Sequence, residues 1–290
     1  MNNKKKIGMI SHHTDKRDII EWVKYNEGSL KDTIIYATYE TGHEIEDNTG
    51  LKVEKEAELK LGDDFSLKIK FKESKKGGDQ EIGSLLVAKL LDYFIYFWDP
   101  LTIEPHDDEI KEVLRESVIY NIPSASNRNT ADHLISSPFF DEKNKKYAKE
   151  VNAVEEDYHA RIALVAHDAK KDEILKWVDQ YKSILKNHTL FATGTTGKRI
   201  NEETGLDVIR MQSGSKGGDT QISTLISNKG LDYLIFFWDP LTPQPHDVAV
   251  KSLLRNAVLY KIALACNPST ADHLITSNLF PRSIYTYGSK

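Results

Sequence analysis

The sequence predicts an α/β protein made of two tandem Rossmann-like three-layer domains, each a five-stranded parallel sheet with helices on both faces. Three observations carry that expectation. The chain repeats most of one text: KIGMISHHTDK (6–16) returns as RIALVAHDAKK (161–171), and FIYFWDPLTIEPHD (94–107) returns as LIFFWDPLTPQPHD (234–247). Within each copy the apolar pattern switches between short continuous runs and helical spacing, the mark of strands alternating with helices. At 290 residues the chain is long enough for two domains that each bury a core.

The elements follow in order along the second copy. RIALVA is a short strand apolar on both faces, DEILKWVDQYKSIL a helix, and TLFAT the next strand. A turn and helix run through TTGKRINEETG, followed by the strand DVIRM, a helix through TQISTLIS and the strand LDYLIFFW. VAVKSLLRNAVLYK and TADHLITS supply the last helices, around the strand IALAC. Strands that are apolar on both faces belong to parallel sheets covered on each side. Such sheets bind ligands at the carboxyl ends of their strands, and each polar motif of this chain falls there.

The two copies differ in length between their first and third motifs. The first motif repeats at an offset of 155 (161 against 6), whereas KGGD repeats at 140 (216 against 76), so the first copy holds 15 additional residues. They fall near 54–72, in a charged stretch without a sustained apolar face, which reads as an exposed extension. SASNRNTADHLISSPFF (124–140) returns as LACNPSTADHLITSNLF (264–280), and there the repeat ends. The expected division is a first domain over 1–140, a charged and potentially helical linker over 141–160, and a second domain over 161–290.

Composition excludes several classes. A hydrophobic share of 39% and a charged share of 29% describe a globular protein, and no apolar run is long enough to cross a bilayer. A net charge of −5 argues against nucleic acid as a partner. The single cysteine, Cys266, allows no internal disulfide, and a reducing cytoplasm is the expected location. No histidine pair has metal-ligand spacing, so a site without metal or cofactor is expected.

The chemistry gathers in the second copy. ATGTTG (192–197) leaves a strand and opens a helix, where glycine permits close approach and free N–H groups favour an anion. MQSGSKGGDTQ (211–221) is a second junction of that kind, with Ser213, Gly214 and Asp219. Two such junctions on one sheet edge can enclose a phosphate, and Lys171, one turn after His167, can reach it as a point charge. Beside that cradle the carboxylate of Asp219 is suited to removing a proton from a substrate carbon. Pro240 and Pro245 stiffen the turn after Asp239, where His246 can donate a hydrogen bond to a carbonyl or enediol oxygen. Trp98 and Trp238 are expected in the core.

Together IALVAHDAKK, ATGTTG, SGSKGGD, IFFWDPLTPQPHD and TADHLI make the stretch 161–280 similar to methylglyoxal synthases. The resemblance implies a cofactor-free lyase that converts dihydroxyacetone phosphate to methylglyoxal and phosphate, on a five-stranded parallel sandwich that assembles as a hexamer. It implies Asp219 as catalytic acid/base, and His167, Lys171, Thr193, Gly194, Thr195, Thr196, Ser213, Gly214 and His246 as substrate contacts, with His246 and His167 steadying charge on the enediolate oxygens. A homo-oligomer is implied as well, and three tandem chains would mimic the six-unit ring.

The match has departures. An aspartate commonly follows the histidine matched by His246 at three residues, and Ala249 stands there. In the first copy ATGTTG has become ATYETG, which brings in Tyr39 and Glu40, and Glu73 stands opposite Ser213. Two carboxylates in a dianion site repel the ligand. The first copy keeps His12, Lys16, Thr41, Asp79, Asp99 and His106, the remains of a site without a good phosphate cradle. The alternative reading is a phosphate- or effector-binding regulatory module of the same fold, without turnover.

Overall fold

The computed structural model describes residues 4–61, 63, 65–102, 107–141, 159–242 and 247–280, and the expected linker therefore lies almost wholly outside the described residues. The chain divides into two compact units, Met1–Ala131 and Asp132–Lys290. Among the described residues no helix is long and apolar enough to cross a membrane.

In the first unit the chain runs β1 (Lys6–Ser11), α1 (Lys16–Tyr25), α2 (Glu27–Leu30), β2 (Ile34–Ala37), α3 (Tyr39–Asn48), β3 (Val53–Glu54), β4 (Glu56–Leu61), β5 (Phe65–Lys70), α4 (Gly78–Val87), β6 (Tyr93–Phe97), α5 (Asp107–Ile119) and β7 (Ser124–Ala125), and then enters α6 (Arg128–Ser136). The second unit runs β8 (Arg161–Ala166), α7 (Lys171–Gln180), α8 (Lys182–Leu185), β9 (Thr189–Ala192), α9 (Gly194–Thr204), β10 (Ile209–Arg210), α10 (Gly218–Ser227), β11 (Tyr233–Phe237), α11 (Asp247–Leu259), β12 (Ala263–Ala265) and α12 (Pro268–Thr276). The expected helix over 172–185 is thus two pieces, broken at Tyr181.

Each unit holds a five-stranded sheet, in the orders β3-β2-β1-β6-β7 and β10-β9-β8-β11-β12, and every ladder in both is parallel. The central strands are buried on both faces. Ile162, Leu164 and Ala166 share one core with Trp177 and Phe237, while the alternate residues Ala163, Val165, Leu234 and Phe236 are buried on the opposite face. That two-sided burial explains the continuous apolar runs. In both sheets the chain first builds strands to one side of the opening strand and then crosses to the other. The switch falls between β1 and β6 and between β8 and β11, and a crevice opens at the carboxyl end of such a switch.

The additional stretch of the first copy departs from expectation. It folds as an antiparallel hairpin, β4 with β5, pairing Ala57 with Ile69, Leu59 with Leu67 and Leu61 with Phe65 on one face, and Glu58 with Lys68 on the other. The first set is an apolar face, and Leu59 and Ile69 bury it against Ile82 and Phe94. A period of two hides an apolar face among charges when it is read at helical spacing. The tryptophans also correct the expectation, since Trp98 and Trp238 are half-buried whereas Trp22 and Trp177 are core residues.

Candidate functional site

Four loops of the second unit leave the carboxyl ends of β8, β9, β10 and β11, so they share one edge of one sheet. His167 follows β8 directly. It is buried, its backbone N–H donates to the Phe237 carbonyl at 3.1 Å, and its ring Nδ1 lies 3.2 Å from the Asp239 N–H and 3.3 Å from the Asp239 carbonyl. Only one of the two ring contacts exists in a given tautomer: with Nδ1 unprotonated it accepts from the Asp239 N–H, and Nε2 then carries the proton. The backbone of Asp239 therefore fixes the imidazole at the switch point between β8 and β11. Phe236 packs its ring edge-on against this imidazole at 5.1 Å.

The Asp239 side chain serves the turn. Burial pushes its carboxyl up, but the Thr242 hydroxyl, the Leu241 N–H at 3.1 Å and the nearby Lys170 ammonium together hold it below the ordinary carboxylate range. Asp99 in the first unit repeats the arrangement. It accepts from the Thr102 hydroxyl at 2.6 Å and the Leu101 N–H at 2.9 Å, and its carboxyl is likewise lowered, chiefly by the threonine.

The next two loops are built against each other. Thr193 is the N-cap residue of α9, and the Gly194 N–H donates to the Gln212 carbonyl at 2.9 Å. A Cβ on Gly194 would stand 2.9 Å from the Ser213 nitrogen, so the second loop packs directly on the bare backbone of this glycine. Thr196 is buried, and its hydroxyl has no hydrogen-bond partner among the described residues, while Thr195 is exposed. In the second loop Ser213 and Gly214 are partly exposed, and a Cβ on Gly218 would collide with the Gln212 carbonyl oxygen at 2.0 Å. That contact forces the chain directly into α10, whose first turn carries the buried Asp219.

Lys171 opens α7, and its ammonium is paired with the Asp168 carboxylate. Asp168 is 85% exposed against 16% for the lysine, so the acid is a surface group that an incoming anion can displace. His246 and the side chain of Ala249 lie outside the described residues, as do His106 and the side chain of Glu109, which stands three residues after His106 as Ala249 does after His246.

The first unit keeps the frame and alters its lining. His12, Thr41 and Asp79 are buried, and the Tyr39 N–H donates to the Lys72 carbonyl at 2.9 Å as Gly194 does to Gln212. Tyr39 is half-exposed, and its ring lies edge-on to His43 at 4.3 Å. Glu40 stands 3.9 Å from the Lys16 ammonium, so this lysine has a carboxylate of the chain beside it. Glu73 is ion-paired with Lys76 at 2.9 Å and Lys75 at 3.4 Å, and the Lys76 contact leads in holding its carboxyl low. The hydroxyl of Thr41 accepts from Thr38 at 3.1 Å, whereas its counterpart Thr196 is unpartnered among the described residues. His12 turns Nδ1 to the Thr14 hydroxyl at 3.2 Å, a partner absent at Ala169. The anchoring of the His167 ring is invisible in the sequence, because its partner is the Asp239 main chain and not a side chain.

Comparison with known proteins matches residues 173–266 to the MGS-like domain family. The chain is 54% identical over 123 residues to a methylglyoxal synthase of Leptospira interrogans, covering 42% of this chain and 83% of the relative. A methylglyoxal synthase of Coxiella burnetii is 52% identical over 120 residues, covering 41% of this chain and 84% of the relative. The crystal structure of a methylglyoxal synthase from Elizabethkingia anophelis NUHP1 is 45% identical, with a TM-score of 0.41, over 42% of this chain and 81% of that one. A stretch covering more than four-fifths of such relatives at half identity is common descent, and the chain belongs to the methylglyoxal synthase family.

Proposed function

We propose that the second unit is a lyase of the methylglyoxal synthase type, acting on dihydroxyacetone phosphate with Asp219 as the base. The observation that carries this reading is the buried Asp219 in the first turn of α10, on the sheet edge that also holds the anchored His167 and the Thr196 hydroxyl, which has no partner among the described residues. A carboxylate adds nothing to binding a dianion, so its retention beside an anion-favouring edge supports proton abstraction. In this scheme Asp219 takes a proton from the hydroxymethyl carbon, and the C–H electron pair forms the double bond of an enediolate. His167 and His246 steady its oxygens. A proton then shifts between those oxygens, the negative oxygen on the former hydroxymethyl carbon re-forms a carbonyl, and the double bond moves one carbon along. The C–O bond breaks as phosphate leaves with its electron pair to Ser213, Gly214 and the 193–196 loop, and the released enol takes up a proton on its terminal carbon and gives up its hydroxyl proton to become methylglyoxal.

The two units are proposed to be tandem copies, 1–140 and 161–290, of which the first has lost its phosphate cradle. The pairing of Lys16 with Glu40 and the ion-paired Glu73 support that reading. A regulatory module that binds phosphate without turnover is the second reading, favoured by Ala249. Phosphate release from dihydroxyacetone phosphate separates them. The lyase reading expects turnover by the wild type and its loss in Asp219→Asn. Phosphate binding without turnover favours the module, and turnover only in Ala249→Asp identifies a silenced lyase.

A further inference from the structure

The hairpin β4–β5 roofs a cavity of about 450 Å³ in the first unit, with α4 and α5 as its floor. Leu59 and Leu61 come from the hairpin, Val87 and Ala88 from the end of α4, and Val113 from α5. The apolar face of the hairpin is longer than the helix beneath it. Leu59 and Ile69 are buried, whereas Leu61, Phe65 and Leu67 on the same face are 47%, 59% and 44% exposed, beside Val87 at 38%. Apolar surface left bare next to a cavity is a surface for a ligand.

The polar group at this cavity is Glu116. A Cβ on Gly83 would stand 2.9 Å from Glu116 Oε2, so the carboxylate lies against bare backbone of α4, where a side chain would displace it. Among the described residues it has neither a hydrogen bond nor an ion pair, and burial pushes its carboxyl up. The other charged groups at the cavity are accounted for: Glu112 is paired with Arg115 at 2.7 Å, and Lys60 is exposed on the hairpin and forms no ion pair with Glu116. At the matching place in the second unit, 140 residues on, Asn256 donates to the Ser223 hydroxyl at 3.1 Å, and α10 and α11 are tied by that neutral bond. The first unit has replaced a closed hydrogen bond by an open carboxylate and has added an apolar roof above it. The two changes complement each other, because a carboxylate without a protein donor calls for a cation and the roof calls for a hydrocarbon body.

We propose that the cavity between the β4–β5 hairpin, α4 and α5 is a binding site for an organic ammonium ion, with its head on Glu116 and its alkyl or aryl body under Leu59 and Leu61. This site is separate from the loops that carry the proposed chemistry, and its occupancy stands or falls independently of turnover.

Calorimetric titration of the full chain with hexylammonium, with hexanol as the uncharged control, tests it. Saturable binding at one site per chain is expected, about tenfold weaker for hexanol and about tenfold weaker for hexylammonium in Glu116→Gln, the loss that goes with one charge-assisted contact. Leu61→Ser, at a position 47% exposed, is expected to weaken hexylammonium and hexanol alike, with the unfolding midpoint read alongside to show that the variant is folded. Absence of saturable hexylammonium binding, equal affinity for hexanol, or affinity unchanged in both Glu116→Gln and Leu61→Ser overturns the proposal.

Discussion

The two units answer one question differently: what stands where a phosphate dianion would be held. In the second unit the Thr196 hydroxyl is unpartnered among the described residues, Thr195 is exposed, and the lysine at the edge is paired only with an exposed aspartate. In the first unit Thr38 donates to the matching hydroxyl, Glu40 lies beside the matching lysine, and Glu73 stands in place of Ser213, ion-paired with Lys75 and Lys76. The backbone is nearly unaffected. Both units keep the colliding glycine ahead of the acid-bearing helix, the loop-to-loop hydrogen bond and the capped aspartate turn. A scaffold held by backbone contacts tolerates many side chains, whereas the lining of the sheet edge changes with a few of them.

The comparison breaks most sharply at the two buried acids. Asp219→Asn is expected to lower kcat for phosphate release by about 10²- to 10⁴-fold, the usual worth of a general base, while Asp79→Asn leaves it unchanged. Equal losses would mean that both units turn over. A smaller effect comes from giving the second unit the first unit's charge. Thr195→Glu is expected to raise KM by about tenfold to a hundredfold through repulsion of the dianion, with a smaller change in kcat, as steady-state kinetics would read. The reverse exchange, Glu40→Thr with Glu73→Ser, is expected to create phosphate binding in a first unit that lacks it, seen as a second site in a calorimetric titration.

The shared scaffold makes the matching prediction of equality. A methyl group on Gly218 would stand 2.0 Å from the Gln212 oxygen and one on Gly78 2.2 Å from the Lys72 oxygen. Gly218→Ala and Gly78→Ala are each expected to destabilise their own unit by about 1–3 kcal/mol in denaturant unfolding. The smallest effect is on pH. Asp99 and Asp239 both have folded pKa values below the unfolded value, so their contribution is complete at neutral pH and is lost as pH falls below about 4 toward the folded pKa. Asp99→Asn and Asp239→Asn should each flatten the acid limb of the stability curve, by similar amounts.

Much of this architecture is legible in the residues, and the exceptions have physical reasons. RIALVA and LDYLIFFW announce buried parallel strands because both faces are covered, and the switch to helical spacing marks the crossovers. The hairpin was legible too, in the alternation of EAELKL and FSLKIK, but its charges mask an apolar face for a reader looking for helices. Position on the sheet edge follows from topology, so the four loops could be placed together from their motifs alone. What sequence cannot express is contact through the backbone. The Asp239 main chain holds the His167 ring, and the Gly194 N–H holds the second loop, yet neither leaves a side-chain signature. Glu116 shows the converse, since its chemistry depends on the missing side chain of Gly83, a neighbour distant in sequence.

The proposed lyase requires that one unit of the pair, the second, holds a phosphate dianion. Calorimetric titration of the wild-type chain with inorganic phosphate counts the sites directly. One site per chain is expected, weakened by Thr195→Glu and joined by a second in Glu40→Thr with Glu73→Ser; two sites in the wild type, or none, would rule out a phosphate site confined to the second unit.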